Sequence, residues 1–296
     1  MDDIYNRIIA GICDRNRISS EVSLRQYLRH LQPHALKLWQ SYRNDNVTVD
    51  YTDFDTQAAY LLRYYPLYAA MTRQIFEDLN QNILFSTQHI QACFFGAGPA
   101  PETVGLITYL EDNFPCLLSA QFKIYDIAAD SWRHSRRITN NYLIKEYFLG
   151  LCKLNASPID LLDINTFEPI EYDITNSMIF VFQNCLNEMG NDLNTFLKNI
   201  GFLVRKMPRR SILIIADQSN YRSSNRLMNR IESYILAMRQ GNIMRSHTQG
   251  GITFQSRDLL PPIPVVIKKY LLTGEHGLIP RHSVDFNYLA FRKNAK

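Results

Sequence analysis

The stretch Ala92-Cys93-Phe94-Phe95-Gly96-Ala97-Gly98-Pro99-Ala100-Pro101-Glu102, continued by Thr103-Val104-Gly105-Leu106-Ile107, decides how this chain folds. An apolar run, a Gly-x-Gly step and a helix-forming segment, in that order, describe a buried parallel strand that hands the chain to a helix across a tight turn. Glycine lets the backbone approach a ligand closely there, and the first turn of the helix carries N–H groups without an intrahelical partner. A dinucleotide fingerprint would place its third glycine at position 101, where this chain has Pro101. A pyrophosphate cradle is therefore the poorer reading of the turn.

Further β-rich runs follow. Phe122-Lys123-Ile124-Tyr125-Asp126-Ile127 is short and apolar, with Asp126 close to its end. A carboxylate has two acceptor oxygens and no donor, which suits a pair of ribose hydroxyls. Asp126 lies 28 residues beyond Gly98 (126 − 98), farther than the roughly 20 of the dinucleotide fold. An insertion around Glu111–Ser119 accounts for the extra length. Capping the next helix is the other role open to Asp126, although Asp130-Ser131 could serve there instead. The nearly unbroken apolar run Ser177–Asn184 ends in Gln183 and Asn184, as expected of a central strand buried on both faces, and continues as Cys185-Leu186-Asn187-Glu188-Met189. Arg210–Gln218 reads as the next strand. Pro158–Asp163 is taken as the third, with Asp160 and Asp163 competing for its functional end.

This ordered set, over roughly residues 88–220, resembles the class I S-adenosylmethionine (SAM)-dependent methyltransferases. The resemblance implies an α/β, Rossmann-like, mostly parallel sheet with SAM as cofactor. Gly96, Ala97, Gly98, Pro99 and Glu102 would then lie beneath its amino acid end. Asp126 would hold the ribose, Asp163 the adenine amino group, and Gln183 would border the cofactor. Asn184, Asn187 and Glu188 would face the methyl acceptor, an RNA, a protein or a small molecule. The step Gly96-Ala97-Gly98-Pro99 is also similar to a turn of nicotianamine synthase, which implies aminopropyl transfer from SAM as an alternative. A non-catalytic interaction protein on the same fold stays open as well, because no sharp acceptor-binding motif is visible.

Before Ile90 the periodicity is helical: Ile4, Ile8, Ile9, Ile12, then Leu24, Tyr27, Leu28, Leu31, then Leu36, Leu38, Trp39. Ser19-Ser20-Glu21 reads as one helix start, and Asp53 or Thr56 caps another. Residues 1–88 are accordingly expected as a helical domain or lid, and residues 89–296 as the cofactor-binding domain. Tyr60-Leu61-Leu62-Arg63-Tyr64-Tyr65-Pro66-Leu67-Tyr68 is denser in tyrosine than a core requires, since each buried phenol needs a partner. Pro66 implies a kink or break. By the same resemblance Tyr65 and Tyr68 are candidates to cover the cofactor, against the plainer reading that they pack helix on sheet.

The remaining features mostly exclude. A net charge of +4 does not mark a nucleic-acid binder. Arg222, Arg226 and Arg230 nevertheless share a helical face that could meet phosphates or simply be solvated. Five cysteines stand singly, with no Cys-x-x-Cys, which points to a reducing cytoplasm and away from structural zinc. His247, His276 and His282 lack metal-ligand spacing, so no metal is expected. No apolar run is long enough to span a membrane. Residues 221–245 read as one long helix, Val265–Leu272 as an apolar return, and Gly250–Phe254 with Val284–Phe291 as an antiparallel pair closing the sheet.

Overall fold

The structure, a computed structural model, describes residues 1–44, 49–79, 88–189, 193–274 and 278–294. His276 and parts of the expected helical segment 1–88 lie outside them. The chain begins with helices α1 (Ile4–Asn16), α2 (Glu21–His30), α3 (Gln32–Ser41), α4 (Phe54–Arg63) and α5 (Tyr65–Leu79). Ser20 caps α2 by accepting the Ser23 N–H, and Asp53 caps α4 by accepting those of Asp55 and Thr56. The break between α4 and α5 falls at Tyr64. Pro66 sits in the first turn of α5, where its missing N–H removes no helical hydrogen bond.

Next come β1 (His89–Phe95), α6 (Pro101–Asn113), β2 (Ser119–Asp126) and α7 (Arg133–Ile138), which a π-helical turn over Thr139–Ile144 joins to α8 (Lys145–Tyr147). β3 (Leu151–Pro158), α9 (Glu171–Asn176), β4 (Ile179–Gln183) and a 3-10 turn at Leu186–Glu188 follow. The remainder is α10 (Leu193–Lys206), β5 (Ile212–Gln218), α11 (Arg222–Met238), β6 (Gly241–Arg245), β7 (Ile252–Gln255), α12 (Ser256–Leu259), α13 (Val265–Tyr270) and β8 (Ser283–Lys293).

The strands form one sheet in the order β3-β2-β1-β4-β5-β8-β6, with β7 also paired to β8. β1 to β5 run parallel, whereas β8 is antiparallel to β5, β6 and β7. This is the expected Rossmann-like, mostly parallel α/β fold. The order reverses between β1 and β4, which opens a crevice at the carboxyl ends of those two strands. Every residue of β4 and β5 is buried, as their apolar runs require.

Two expectations are corrected. The third strand is Leu151–Pro158, in register with β2 from Ser119↔Leu151 to Asp126↔Pro158, and Pro158–Asp163 is the loop that leaves it. An edge strand of mostly exposed residues needs no apolar run, so its sequence gave no signal. The helix expected over 221–245 ends at Met238, where Arg239 turns left-handed (φ 55°), and Gly241–Arg245 pairs with β8.

Apolar layers cover both faces of the sheet. One core joins Ile8, Leu61 and Ile75 from the N-terminal helices to Phe94, Val104 and Ile214. The other packs Phe196, Ile200 and Met228 against Phe95, Phe182 and Leu213. α5 lies so close to α6 that a Cβ on Gly105 would stand 2.2 Å from the carbonyl oxygen of Ala69 and 2.7 Å from Thr72 Cβ. In an open helix Gly→Ala stabilises by about 1 kcal/mol. Here the methyl meets a backbone atom that cannot swing aside. Gly105→Ala is expected to lose about 1–3 kcal/mol, seen as a lower urea midpoint at unchanged slope. A variant as stable as the parent would refute this packing.

Candidate functional site

The glycine turn is built from left-handed residues in alternation: Gly96 (φ 64°), Gly98 (φ 47°) and Ala100 (φ 65°). Glycine is required at 96 and 98 also by space. A Cβ on Gly96 would lie 2.6 Å from Cys185 Cβ, and one on Gly98 would lie 3.0 Å from the Trp132 indole. Most backbone donors of the turn are already engaged. Gly96 N–H donates to the Tyr125 carbonyl (2.7 Å), Gly98 N–H to Asp126 Oδ2 (2.8 Å) and Ala100 N–H to the Ala97 carbonyl (2.6 Å). Pro99 and Pro101 have no N–H to offer. The helix start that could hold a pyrophosphate is thus largely closed to anions.

Around this turn lies a cavity of about 240 Å³. The Gly96–Pro99 backbone and Glu102 form one side, and Asp126, Ile127 and Ala128 continue it from β2. The loop after β3 contributes Ile159, Asp160, Leu161 and Leu162. Gln183, Asn184, Cys185, Asn187, Glu188 and Met189 come from the end of β4, with Gln218 from β5. Tyr42, Tyr51, Tyr60, Tyr68 and Trp132 complete the wall from the helices.

The charges of this lining are one-sided. It holds four carboxylates (Glu102, Asp126, Asp160 and Glu188) and, among the described residues, no lysine, arginine or histidine. Glu102 is 3% exposed and its Oε2 has no hydrogen-bond partner. Burial, then the nearby Asp126, holds its carboxyl well above the usual range. Burial likewise raises Asp126, against the stabilising N–H groups of Ala128 and Gly98 and the Arg136 guanidinium behind the turn. Glu188 lines the cavity as an exposed residue. Burial, Asp126 and Asp217 push it up to about 8. Asp217 lies outside the lining and is raised by burial to about 6. It accepts from Ser224 Oγ (2.8 Å), from the Gln218 N–H (2.7 Å), and from the backbone N–H groups of Leu186 and Asn187. Asp217 therefore holds the 3-10 turn that carries Asn187 and Glu188.

Of the residues singled out in the sequence, Gly96, Ala97, Gly98, Pro99, Glu102, Asp126, Gln183, Asn184, Asn187, Glu188 and Tyr68 meet at this cavity. Gln183 accepts from the Thr72 hydroxyl (2.7 Å) and donates to the Tyr68 carbonyl (3.0 Å), which ties β4 to α5. Tyr68 Oη accepts from Gln218 Nε2 (3.0 Å). Asn184 is left-handed (φ 54°) and turns the chain out of β4. The carbonyl oxygens Oδ1 of Asn184 and Asn187 are buried without a donor.

Two candidates lie elsewhere. Asp163 is exposed beyond the cavity, and its neighbour Asp160 lines it instead. Tyr65 is fully buried behind the glycine turn. Its hydroxyl donates to Thr139 Oγ1 (2.9 Å), which donates to the Pro99 carbonyl (2.6 Å), so Tyr65 braces the turn from outside the cavity. Arg222, Arg226 and Arg230 are exposed on α11 and do not line the cavity, and Arg230 donates to Asn194 Oδ1 (3.0 Å). Sequence reasoning missed Tyr42, Tyr51 and Trp132, which stand alone in the sequence, and it did not separate Tyr60 from its neighbours. It also missed the grouping of His30, His34 and Asp55, whose ligand atoms lie within 4.8 Å of one another. These groups are already paired, with Asp55 taking Tyr27 Oη (2.6 Å) and His30 Nε2 (2.9 Å). No helix among the described residues is long and apolar enough to cross a membrane.

No family model matches the chain, and no curated protein matches its sequence. Among solved structures it is similar to the CurJ carbon methyltransferase, with TM-score 0.46 and 11% identity over 91% of this chain and 69% of that one. It is also similar to the N-methyltransferase NodS from Bradyrhizobium japonicum in complex with S-adenosyl-L-homocysteine, with TM-score 0.44 and 9% identity over 88% of this chain and 98% of that one. At these identities the likeness is one of fold alone.

The raised acids set a pH dependence. A carboxyl that keeps its proton more tightly in the folded protein makes that state bind more protons than the unfolded chain, so stability falls as pH rises through the window. For Glu188 the window runs from its ordinary 4.5 to about 8. The thermal midpoint of ligand-free protein is expected to fall across that range, and that of Glu188→Gln to fall less. A midpoint that climbs with pH in both proteins would contradict the charge arrangement.

Proposed function

We propose that the protein is a SAM-dependent methyltransferase whose cofactor binds between the Gly96–Pro99 turn and the ends of β2 and β4. The observation that supports this reading is the charge of the cavity: four carboxylates, no basic side chain in the described lining, and a glycine turn whose donors are mostly engaged. Such a cavity gives the pyrophosphate of a dinucleotide no basic partner, and a bound cation would draw the raised acids into their charged form. SAM carries a sulfonium and an ammonium against a single carboxylate.

In this reading Glu102, whose oxygen Oε2 has no partner, receives the ammonium. Asp126 retains acceptor capacity for the ribose hydroxyls, and Asp160 takes the role at the adenine end first considered for Asp163. When bound, SAM supplies a methyl carbon whose bond to sulfur breaks with its electron pair left on sulfur. The protein's own part is to align the acceptor and exclude water. The N-terminal helices do the latter, as a lid whose Tyr42, Tyr51, Tyr60 and Tyr68 close the crevice formed by residues 89–296. All five cysteines are free thiols, in keeping with a cytoplasmic protein.

Calorimetry is expected to show binding of SAM and S-adenosylhomocysteine and none of NADH or ATP. Glu102→Gln should weaken both by roughly 1.5–3 kcal/mol, the range for hydrogen bonds to a charged group, with the ligand-free melting midpoint unchanged or raised because a buried unpaired acid is removed. Glu102 is a cleaner probe than Asp126, which also holds the Gly98 and Ala128 N–H groups. The spent cofactor separates methyl transfer from aminopropyl transfer, since the first leaves S-adenosylhomocysteine and the second methylthioadenosine. Binding of NADH or ATP without SAM would overturn the proposal.

A further inference from the structure

The half of the cavity that faces the end of β4 shares its aromatic wall with the glycine turn, where Trp132 packs against Gly98. Its rings come from separate elements. Trp132 lies 4.9 Å from Tyr51 and 5.4 Å from Tyr60, centroid to centroid, and Tyr60 stands 6.0 Å from Tyr68, edge to face. Tyr42 joins them through a 2.6 Å hydroxyl contact with Tyr51. Burial holds the phenols of Tyr42, Tyr51, Tyr60 and Tyr68 well above their ordinary pKa, so the rings are neutral at any physiological pH. Glu188, Asn184 and Asn187 line the same cavity, Glu188 exposed and the carbonyl oxygens of the two amides covered by protein. Neutral rings beside a carboxyl favour a cation that carries N–H donors.

Resting on the SAM reading above, we infer that this half of the cavity takes an aliphatic amine, entering as its ammonium, as the acceptor. Tyr42, Tyr51 and Tyr60 border the cation, and Glu188, as its carboxylate, takes one proton. That proton transfer turns R–NH3⁺ and the Glu188 carboxylate into R–NH2 and the carboxylic acid, which frees the nitrogen lone pair as the nucleophile. Carboxylate and phosphate acceptors find no basic partner in the described lining. A polynucleotide would bring its phosphates toward four acids, which disfavours a nucleobase although the rings could stack one.

The test uses the full-length protein saturated with S-adenosylhomocysteine and compares pentylamine, 1-pentanol and pentanoate by calorimetry, with a lysine-containing peptide and cytidine as further probes. Pentylamine is expected to bind about tenfold or more tightly than pentanol, and pentanoate not at all. Glu188→Gln should lower pentylamine affinity about tenfold and leave pentanol unchanged. Tyr60→Leu should lower it as well, whereas Tyr60→Phe, which keeps the ring, should not. Retained binding of S-adenosylhomocysteine shows that each variant is folded. A peptide lysine that binds more tightly than pentylamine identifies a protein side chain as the source of the amine, and the reverse identifies a free amine. Failure of the parent to bind S-adenosylhomocysteine would defeat the cofactor reading. Normal binding of it, with pentanol or cytidine equal to or better than pentylamine, would defeat the amine inference alone.

Discussion

Asp126 Oδ2 accepts the Gly98 N–H at 2.8 Å, and much of the site follows from that bond. It joins the end of β2 to the turn that leaves β1, so the two strands cannot shift in register without breaking the turn. It also engages a donor that an anion would otherwise use. Oδ1 of the same carboxylate holds the Ala128 N–H at 2.8 Å, which fixes the loop on its other side. Two backbone N–H groups go far to offset the desolvation of a buried acid. Burial nonetheless raises its pKa.

A similar arrangement recurs across the crevice. Asp217, at the end of β5, organises the turn after β4 through the Leu186 and Asn187 N–H groups and Ser224. One buried acid thus shapes the glycine turn and another the turn that presents Glu188. Each also adds negative charge to a region of low dielectric, and Glu188 is raised partly by both. The helices finish the enclosure from outside. Tyr65 braces the Pro99 carbonyl through Thr139, and Gln183 and Gln218 fasten β4 and β5 to Tyr68. The N-terminal helices and the sheet therefore share polar contacts as well as an apolar core.

The parts that were legible in the sequence are those whose cause is local. The strand–turn–helix at Ala92–Ile107 declares itself because burial of β1, the left-handed glycines and the helix start occupy consecutive residues. β4 and β5 are equally plain, since strands buried on both faces must be apolar without interruption. β3 was misplaced by a whole strand because its partner supplies its order and its own residues stay mostly exposed. The same loop separates Asp160, which lines the cavity, from Asp163, which is exposed beyond it. Tyr65 and Tyr68 are three residues apart on one helix, and periodicity cannot say which of them looks into the cavity and which behind the turn. Tyr42, Tyr51 and Trp132 have no sequence signal in common. Only the closure of separate helices over the crevice gathers them.

The unpaired groups are the most telling because folding alone gives no reason for them. A buried carboxylate oxygen without a donor destabilises the folded chain, as does a buried amide carbonyl in the same condition. Glu102, Asn184 and Asn187 supply three such oxygens at one cavity, where apolar side chains of similar size would pack without penalty. The aromatic wall beside them adds acceptors and ring faces, and the described lining has no cation of its own. The described lining thus joins acids and neutral rings with no basic side chain, which favours a cation over an anion.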